Sequence, residues 1–298
     1  MNSDATEKRG AKPPWIRVRI GQGQTFQDTR SRLRAHGLHT VCEEAACPNL
    51  GHCWSHGRAT IMILGDRCTR GCRFCNVDKR AVLLPDPAEP QRVAAAVKET
   101  GLKEVVLTSV TRDDLPDGGA ALWAATVRAV HEAVPGIQVE VLVPDFGGSP
   151  GDIATVAHER PAVFGHNLET VPRIYPHARP QADYARSLAV LRQASEAGLI
   201  TKTSLMLGLG ETLDEIAQTL HDARAAGCRI FYAGQYLQPS ARHLPVARFL
   251  DPAEFDRVKE LAYAAGFGFV ASAPLVRSSY HEDGQSAFVK KIKPETGG

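Results

Sequence analysis

The sequence predicts an α/β fold: a partial TIM-type (β/α)6 barrel with an extension at each end of the chain. Three observations predict it. Short apolar runs alternate with helix-length amphipathic segments about six times, each unit taking about 25–35 residues, which implies parallel strands joined by right-handed crossovers. Polar residues recur where the apolar runs stop, at 108–109, 167–169, 208–211 and 235–240. In barrels the reactive groups gather at that rim, so this recurrence favours a barrel over an open doubly wound sheet, which would satisfy the alternation equally. Finally, a cysteine cluster directly follows the first apolar run, at 60–64.

Taken in order, a helix is expected over 91–99, a strand over 104–109 and a helix over 120–134. Strands follow over 138–143 and 162–168. A helix over 183–197 precedes the strand 202–207, and a helix over 213–226 precedes the strand 229–236. The last helix, 252–265, leads into the apolar run 267–271. The polar stretches up to Pro14 and after Glu282 read as mobile tails. The expected organisation is an N-terminal extension over 1–57, a barrel core over 58–270 and a C-terminal segment over 271–298.

A chain of 298 residues can bury a sizeable core. Its net charge of +2 gives no broad basic footprint and argues against nucleic acid. Arg30, Arg32 and Arg34 read as a solvated face. No apolar run reaches 18 residues, so no membrane association is expected, and the first 14 residues lack the apolar stretch of an export signal. A cytoplasmic location follows as the expectation. In that reducing setting, closely spaced cysteines mean metal or redox chemistry rather than structural disulfides.

Six of the seven cysteines form two triplets with different spacings. Cys42, Cys47 and Cys53 read C-x4-C-x5-C; Cys68, Cys72 and Cys75 read C-x3-C-x2-C. Three soft thiolates suit a 4Fe–4S cluster and leave one iron open to another ligand. The competing reading is structural zinc closed by His52 or His56, although zinc sites usually pair two C-x2-C elements and only one occurs here. Cys228, inside the βα pattern, reads as a small buried hydrophobe.

C-x3-C-x2-C after a first strand, with Phe74 before its last cysteine, resembles the radical S-adenosylmethionine superfamily. Val41-Cys42-Glu43-Glu44-Ala45-Ala46-Cys47-Pro48-Asn49 with Cys53 resembles the auxiliary-cluster motif of lipoyl synthases. So do Arg112-Asp113-Asp114-Leu115-Pro116-Asp117-Gly118-Gly119, His166-Asn167-Leu168-Glu169-Thr170 and Arg277-Ser278-Ser279-Tyr280. The resemblance runs from about Pro13 to Tyr280. It implies two 4Fe–4S clusters. One, on Cys68, Cys72 and Cys75, binds S-adenosylmethionine and cleaves it to a 5′-deoxyadenosyl radical. The auxiliary cluster, on Cys42, Cys47, Cys53 and Ser279, gives up its sulfide, so that sulfur enters C6 and C8 of a protein-bound octanoyl-lysine chain. The implied partners are octanoylated lipoyl carrier domains of 2-oxoacid dehydrogenase E2 subunits or the glycine-cleavage H protein. A ferredoxin- or flavodoxin-type reductant and an iron–sulfur carrier for cluster rebuilding are implied as well. A biotin-synthase-like enzyme or a methylthiotransferase would keep the second triplet without requiring the first one or the serine pair.

Asn167 and Glu169 should face the barrel mouth, where a carboxylate accepts from ribose hydroxyls; a helix-capping role is the alternative. Lys202 either reaches the methionine carboxylate or is simply solvated. Gly208-Leu209-Gly210-Glu211 lines the adenosyl pocket or makes an ordinary turn, and it lacks the third glycine of a dinucleotide fingerprint. The segment 235–240 is a candidate adenine contact. Asp113, Asp114 and Asp117 read as a lid or substrate rim, and His243 as a structural or surface residue. Placing the sulfur source on an N-terminal extension and a C-terminal serine should bring both chain ends to one barrel mouth.

Overall fold

The computed structural model describes residues 12–18, 20–280 and 283–292. One eight-stranded sheet runs in strict chain order: β1 (His39–Thr40), β2 (Thr60–Ile63), β3 (Glu104–Ser109), β4 (Gln138–Leu142), β5 (Val163–Gly165), β6 (Thr201–Leu207), β7 (Ile230–Gln235) and β8 (Phe269–Ser272). β1 is antiparallel to β2, and every later neighbour is parallel. An order without reversal is that of a barrel, since a doubly wound sheet reverses direction at its switch point. The described strands pair from β1 to β8 without closing the ring, which makes the barrel partial.

The expected βα alternation stands, with a seventh parallel strand, β8, at its end. The helices are α1 (Gln24–Ala35), α2 (Val41–Glu44), α3 (Leu50–Ser55), α4 (Glu89–Thr100), α5 (Ala120–Ala133), α6 (Pro150–His158), α7 (Tyr175–Ala178), α8 (Tyr184–Glu196), α9 (Leu213–Ala225), α10 (Pro252–Ala264) and α11 (Asp283–Ile292). Local chemistry sets their ends. Thr212 with Glu215 and Asp251 with Glu254 form reciprocal capping boxes at the starts of α9 and α10. Asp183 caps α8 by accepting from Arg186 N (2.7 Å), and α4 stops at Gly101 in the left-handed region. Strands β2 and β7 are buried along their whole length, as expected for parallel strands covered on both faces.

Two expectations need correction, and one segment adds elements that the alternation did not include. The apolar run 162–168 supplies only the three-residue β5, because Thr203 Oγ1 takes the Leu168 N–H and His166 turns inward. The segment 146–158, left unassigned above, holds a 3-10 turn and α6, started by the Ser149 cap and Pro150. Residues 283–292 are not a mobile tail but α11, which lies across the amino-terminal ends of the strands. Gln285 Nε2 donates to Glu140 Oε2 (2.6 Å) and Ser286 Oγ to Glu104 Oε2 (2.5 Å). Phe288 stacks on Phe269, and Val289 is buried with Val163, Ile200 and Tyr232. Residues 1–11 and 293–298 lie outside the described part.

After β8 the chain runs as a strap, 273–280, along β7. Gln235 N donates to Pro274 O (3.1 Å). Gly234 makes this approach possible, because a Cβ there would stand 1.9 Å from Val276 O. Asn49 Nδ2, from the N-terminal extension, donates to Leu275 O (2.6 Å) and ties the two ends of the chain together. The fold therefore predicts that Gly234→Ala lifts the strap and costs about 1–3 kcal/mol of stability, measurable by anaerobic urea unfolding. An unchanged midpoint would contradict the close approach.

Candidate metal centres and cofactor site

Cys68, Cys72 and Cys75 lie in the loop that leaves the carboxyl end of β2. Its turn begins at Leu64, in the left-handed region, whose N–H donates to buried Glu89 Oε2 (2.8 Å). The loop is braced by other strand-end loops. Thr69 N reaches Thr111 O (3.1 Å), Gly71 N reaches Gln181 Oε1 (2.6 Å) and Arg73 N reaches Ala178 O (2.9 Å). His243, as expected, has a structural place: Nε2 lies 3.1 Å from Cys75 O. The Cys68 sulfur accepts backbone N–H groups from Arg70 (3.5 Å) and Thr111 (3.3 Å), which fix its position in the loop.

Arg70 is the brace that sequence reading missed. Its guanidinium is bidentate to Asp113 (2.8 and 2.7 Å) and again to Asp145 (2.8 and 2.7 Å). Arg70 and Asp145 are buried, at 5% and 0% side-chain exposure. Burial raises the Asp145 carboxyl, but hydrogen bonds from Arg70 outweigh it and bring the group down to about 2. The acidic loop is thus a clamp rather than a lid. Asp113 holds Arg70, and Asp114 holds buried Arg112, which also donates to Leu64 O (3.3 Å).

Beyond β5, Asn167 Nδ2 donates to Glu169 Oε1 (3.1 Å), and Arg179 Nη1 donates to Asn167 O (2.9 Å). Glu169 has a φ of 69°, a conformation that tends to persist only where surrounding structure or function demands it. Burial raises its pKa, against the pull of Arg179. Arg179, also missed from sequence, lies over Tyr175 and beside Cys72. Burial works against its charge; Tyr175, Glu169 and Cys72 together outweigh burial. Among the described residues, Asn167 Oδ1 and Arg179 Nε are buried without a partner. Polar groups left open beside a cysteine loop suit a polar ligand such as the amino-acid and ribose parts of S-adenosylmethionine.

The first triplet lies toward the other end of the strands. Cys42 is in α2, Cys53 in α3, and Cys47 between them, its N–H donated to Cys42 O (3.0 Å). They line a cavity of about 140 Å³ with strand-start residues Thr60, Glu104 and Gln138, and with Arg277, Ser279 and Tyr280. The chain ends do meet, but at the amino-terminal side of the barrel rather than at the mouth that carries Cys68–Cys75. Burial pushes the Cys42 thiol up to about 11 and Cys53 up to about 12, each raised further by neighbouring thiols. Cys75, in the second triplet, is likewise pushed to about 12 by burial. Such thiols yield their protons to a strongly bound metal, not to water. Arg277 fits an anionic centre: burial lowers its pKa, and only Cys47 opposes this. A buried cation needs a buried anion beside it.

Other candidates sit elsewhere. Lys202 does not face solvent: 2% exposed at the start of β6, it pairs with Glu140 (2.8 Å) and lies 3.9 Å from the Tyr232 ring centre. Gly208 packs against Gln235 and Arg248, and Glu211 accepts from Gly208 N and Leu209 N, so this segment is a turn. The Gln235 side chain is spent on Leu207 O, Tyr236 O, Arg248 O and Leu250 N. Cys228 is buried as expected. His52 and His56 pack on each other, with His52 stacked on Tyr280. Among the described residues, no three His, Cys, Asp or Glu side chains are grouped to hold a metal ion. No described helix is long and apolar enough to cross a membrane.

Residues 62–223 match the radical SAM superfamily, and residues 2–47 match the N-terminal domain of lipoyl synthase of that family. The chain is 54% identical over 282 residues to the lipoyl synthase of Methylococcus capsulatus, covering 93% of this chain and 87% of that protein. It is 50% identical over 276 residues to that of Chlorobaculum tepidum, covering 92% and 95%. Among solved structures, SuiB of Streptococcus suis bound to precursor peptide SuiA aligns with a TM-score of 0.57 at 12% identity, over 82% of this chain and 52% of that one. That last likeness concerns the fold alone. The barrel with its C-x3-C-x2-C loop defines a radical S-adenosylmethionine protein, a class that uses a 4Fe–4S cluster with S-adenosylmethionine. Within that class, the chain belongs to the lipoyl synthase family.

His166 sets an acid limit for this region. Its ring bridges Val143 O (2.9 Å) and Ser187 Oγ (3.0 Å), and burial lowers its pKa from 6.5 to about 4. Protonation therefore favours the unfolded chain: the stability is complete above pH 6.5 and is lost as pH falls toward 4. Asp145, depressed from 3.8 to about 2, contributes a constant amount above about pH 5 and begins to lose it only below that. Between about pH 7.5 and about pH 5.5 this histidine should cost roughly 1 kcal/mol, and His166→Gln should remove that slope. Parallel urea-unfolding profiles for the two proteins would contradict the assignment.

Proposed function

We propose that the two cysteine triplets hold separate 4Fe–4S clusters on opposite sides of the barrel interior, and that lipoyl synthesis takes place between them. The reaction is insertion of two sulfur atoms at C6 and C8 of a protein-bound octanoyl-lysine chain. Cys68, Cys72 and Cys75 would hold the cluster whose chemistry is one-electron cleavage of S-adenosylmethionine, and Cys42, Cys47, Cys53 and Ser279 would hold the auxiliary cluster, whose chemistry is donation of sulfide. One observation carries this reading. Ser279 stands in the same cavity wall as Cys42, Cys47 and Cys53, although it comes from the far end of the chain. A hydroxyl oxygen is a harder ligand than a thiolate and holds iron less firmly, as a centre that surrenders sulfide requires.

The chain's own residues do the positioning. Glu169 and Asn167 offer acceptors to the ribose hydroxyls and ammonium group, and Arg179 supplies positive charge beside Cys72. Lys202 leaves the cofactor assignment because Glu140 already neutralises it. Leu102, Val105, Val106, Ala162 and Val163 give the first-triplet cavity an apolar wall that suits an alkyl chain and excludes water. The substrate is an octanoylated carrier protein. Its finer identity is proposed as a lipoyl domain of a 2-oxoacid dehydrogenase E2 subunit or a glycine-cleavage H protein. A ferredoxin- or flavodoxin-type reductant would supply electrons, and an iron–sulfur carrier would rebuild the auxiliary cluster.

The test is an anaerobic single-turnover assay with octanoylated carrier peptide, S-adenosylmethionine and reductant. Wild type should form 5′-deoxyadenosine and a peptide carrying two sulfur atoms. Ser279→Ala should still cleave S-adenosylmethionine but lower sulfur insertion at least about 100-fold, as loss of a group essential to one step does. Undiminished dihydrolipoyl product from Ser279→Ala would remove the serine from the site.

A further inference from the structure

The strap after β8 carries two adjacent serines with different neighbours. Ser279 lines the cavity of the first triplet. The Ser278 hydroxyl lies 3.0 Å from Asn167 Nδ2, and that same nitrogen lies 3.1 Å from Glu169 Oε1. The amide nitrogen donates to both oxygens, so each of its two hydrogens is committed, one to Glu169 and one to Ser278. This orientation leaves Asn167 Oδ1 buried with no partner among the described residues. Meanwhile Arg179 Nη1 pins the Asn167 main-chain oxygen (2.9 Å). The backbone is therefore fixed while the side-chain amide keeps a torsion to adjust.

A planar amide moves both hydrogens together. A ligand that draws on Glu169, or that donates to the open Asn167 Oδ1, turns the amide plane, and Ser278 follows or loses its bond. The strap is held upstream at Pro274 O by Gln235 N and at Leu275 O by Asn49, and the Tyr280 N to Arg277 O turn (2.9 Å) encloses both serines, so motion at Ser278 is passed to its neighbour Ser279. We infer that Asn167 and Ser278 form a positioning pair that couples occupancy of the adenosyl-ligand pocket at Glu169 to the pose of Ser279 at the first cysteine triplet. This rests on the reading of Ser279 given above. Coupling of this kind is reciprocal, so the state of the first triplet also sets ligand affinity at Glu169.

The test uses full-length protein with its clusters reconstituted anaerobically, and S-adenosylhomocysteine as a probe that occupies the pocket without being cleaved. Mössbauer spectra identify the oxygen-ligated iron, and its rate of loss to a chelator is followed with and without the probe. In wild type the probe should change that rate at least about fivefold; in Ser278→Ala, with its clusters intact by iron and sulfide content and the probe at saturation, the change should vanish. Ser278→Thr, which keeps the hydroxyl, should restore the response. A wild type that ignores the probe, or a Ser278→Ala that responds like wild type, overturns the coupling. Survival of the oxygen-ligated signal in Ser279→Ala would instead overturn the ligand reading. Its loss there, with the probe effect intact in Ser278→Ala, would overturn the coupling alone.

Discussion

One buried arginine organises the carboxyl-terminal face of the barrel. Arg70 lies between Cys68 and Cys72, and its guanidinium is clasped by Asp113 from the loop after β3 and Asp145 from the loop after β4. Three successive strand ends are thereby locked by one side chain. The geometry is planar and bidentate on both sides, which Lys cannot reproduce. Removing either partner of a buried pair typically costs about 3–5 kcal/mol, because the other charge is left without compensation. The cysteine loop can thus be rigid although it contains no regular secondary structure. Its sulfurs are held where backbone N–H groups already point at Cys68.

Charge governs the rest of the interior as well. Each triplet has a buried arginine beside it, Arg179 near Cys72 and Arg277 near Cys47. Neither makes a carboxylate ion pair within 4 Å among the described residues. Such placements are costly unless the thiols beside them become anionic, which iron binding provides. By contrast, Lys202 and Glu140 neutralise each other inside the barrel, and Gln285 of α11 caps the remaining carboxylate oxygen. Helix α11 and the strap close the side of the barrel on which the first triplet lies, so the cavity is built from both ends of the chain.

Local sequence revealed what local sequence controls. The strand 104–109 appears with its expected bounds, and the helices expected over 120–134, 213–226 and 252–265 end within one residue of expectation, because caps and apolar periodicity lie within each segment. The cysteine triplets and Ser279 were visible as motifs, and the cavity brings Ser279 to the first triplet. Features created by distant partners stayed hidden. Lys202 looked like a cofactor or surface residue because its partner Glu140 lies 62 residues earlier. Asp145 became significant only once Arg70, 75 residues before it, was seen to reach it. Helix α11 looked like a polar tail because its apolar face is short, and only its packing on Phe269 and the strand starts identifies it as a closing element. The alternation likewise counted βα units without showing to which side of the barrel each triplet would be directed.

The proposal that two independent iron–sulfur sites share one barrel can be tested by counting their iron. The most direct measurement is the iron and sulfide content of three anaerobically reconstituted proteins: wild type, a Cys68/Cys72/Cys75→Ala triple variant and a Cys42/Cys47/Cys53→Ala triple variant. The account predicts about eight iron atoms for wild type and about four for each variant, with the visible absorption of a 4Fe–4S cluster remaining in both. Loss of all iron from either variant, or zinc in place of iron in wild type, would contradict it.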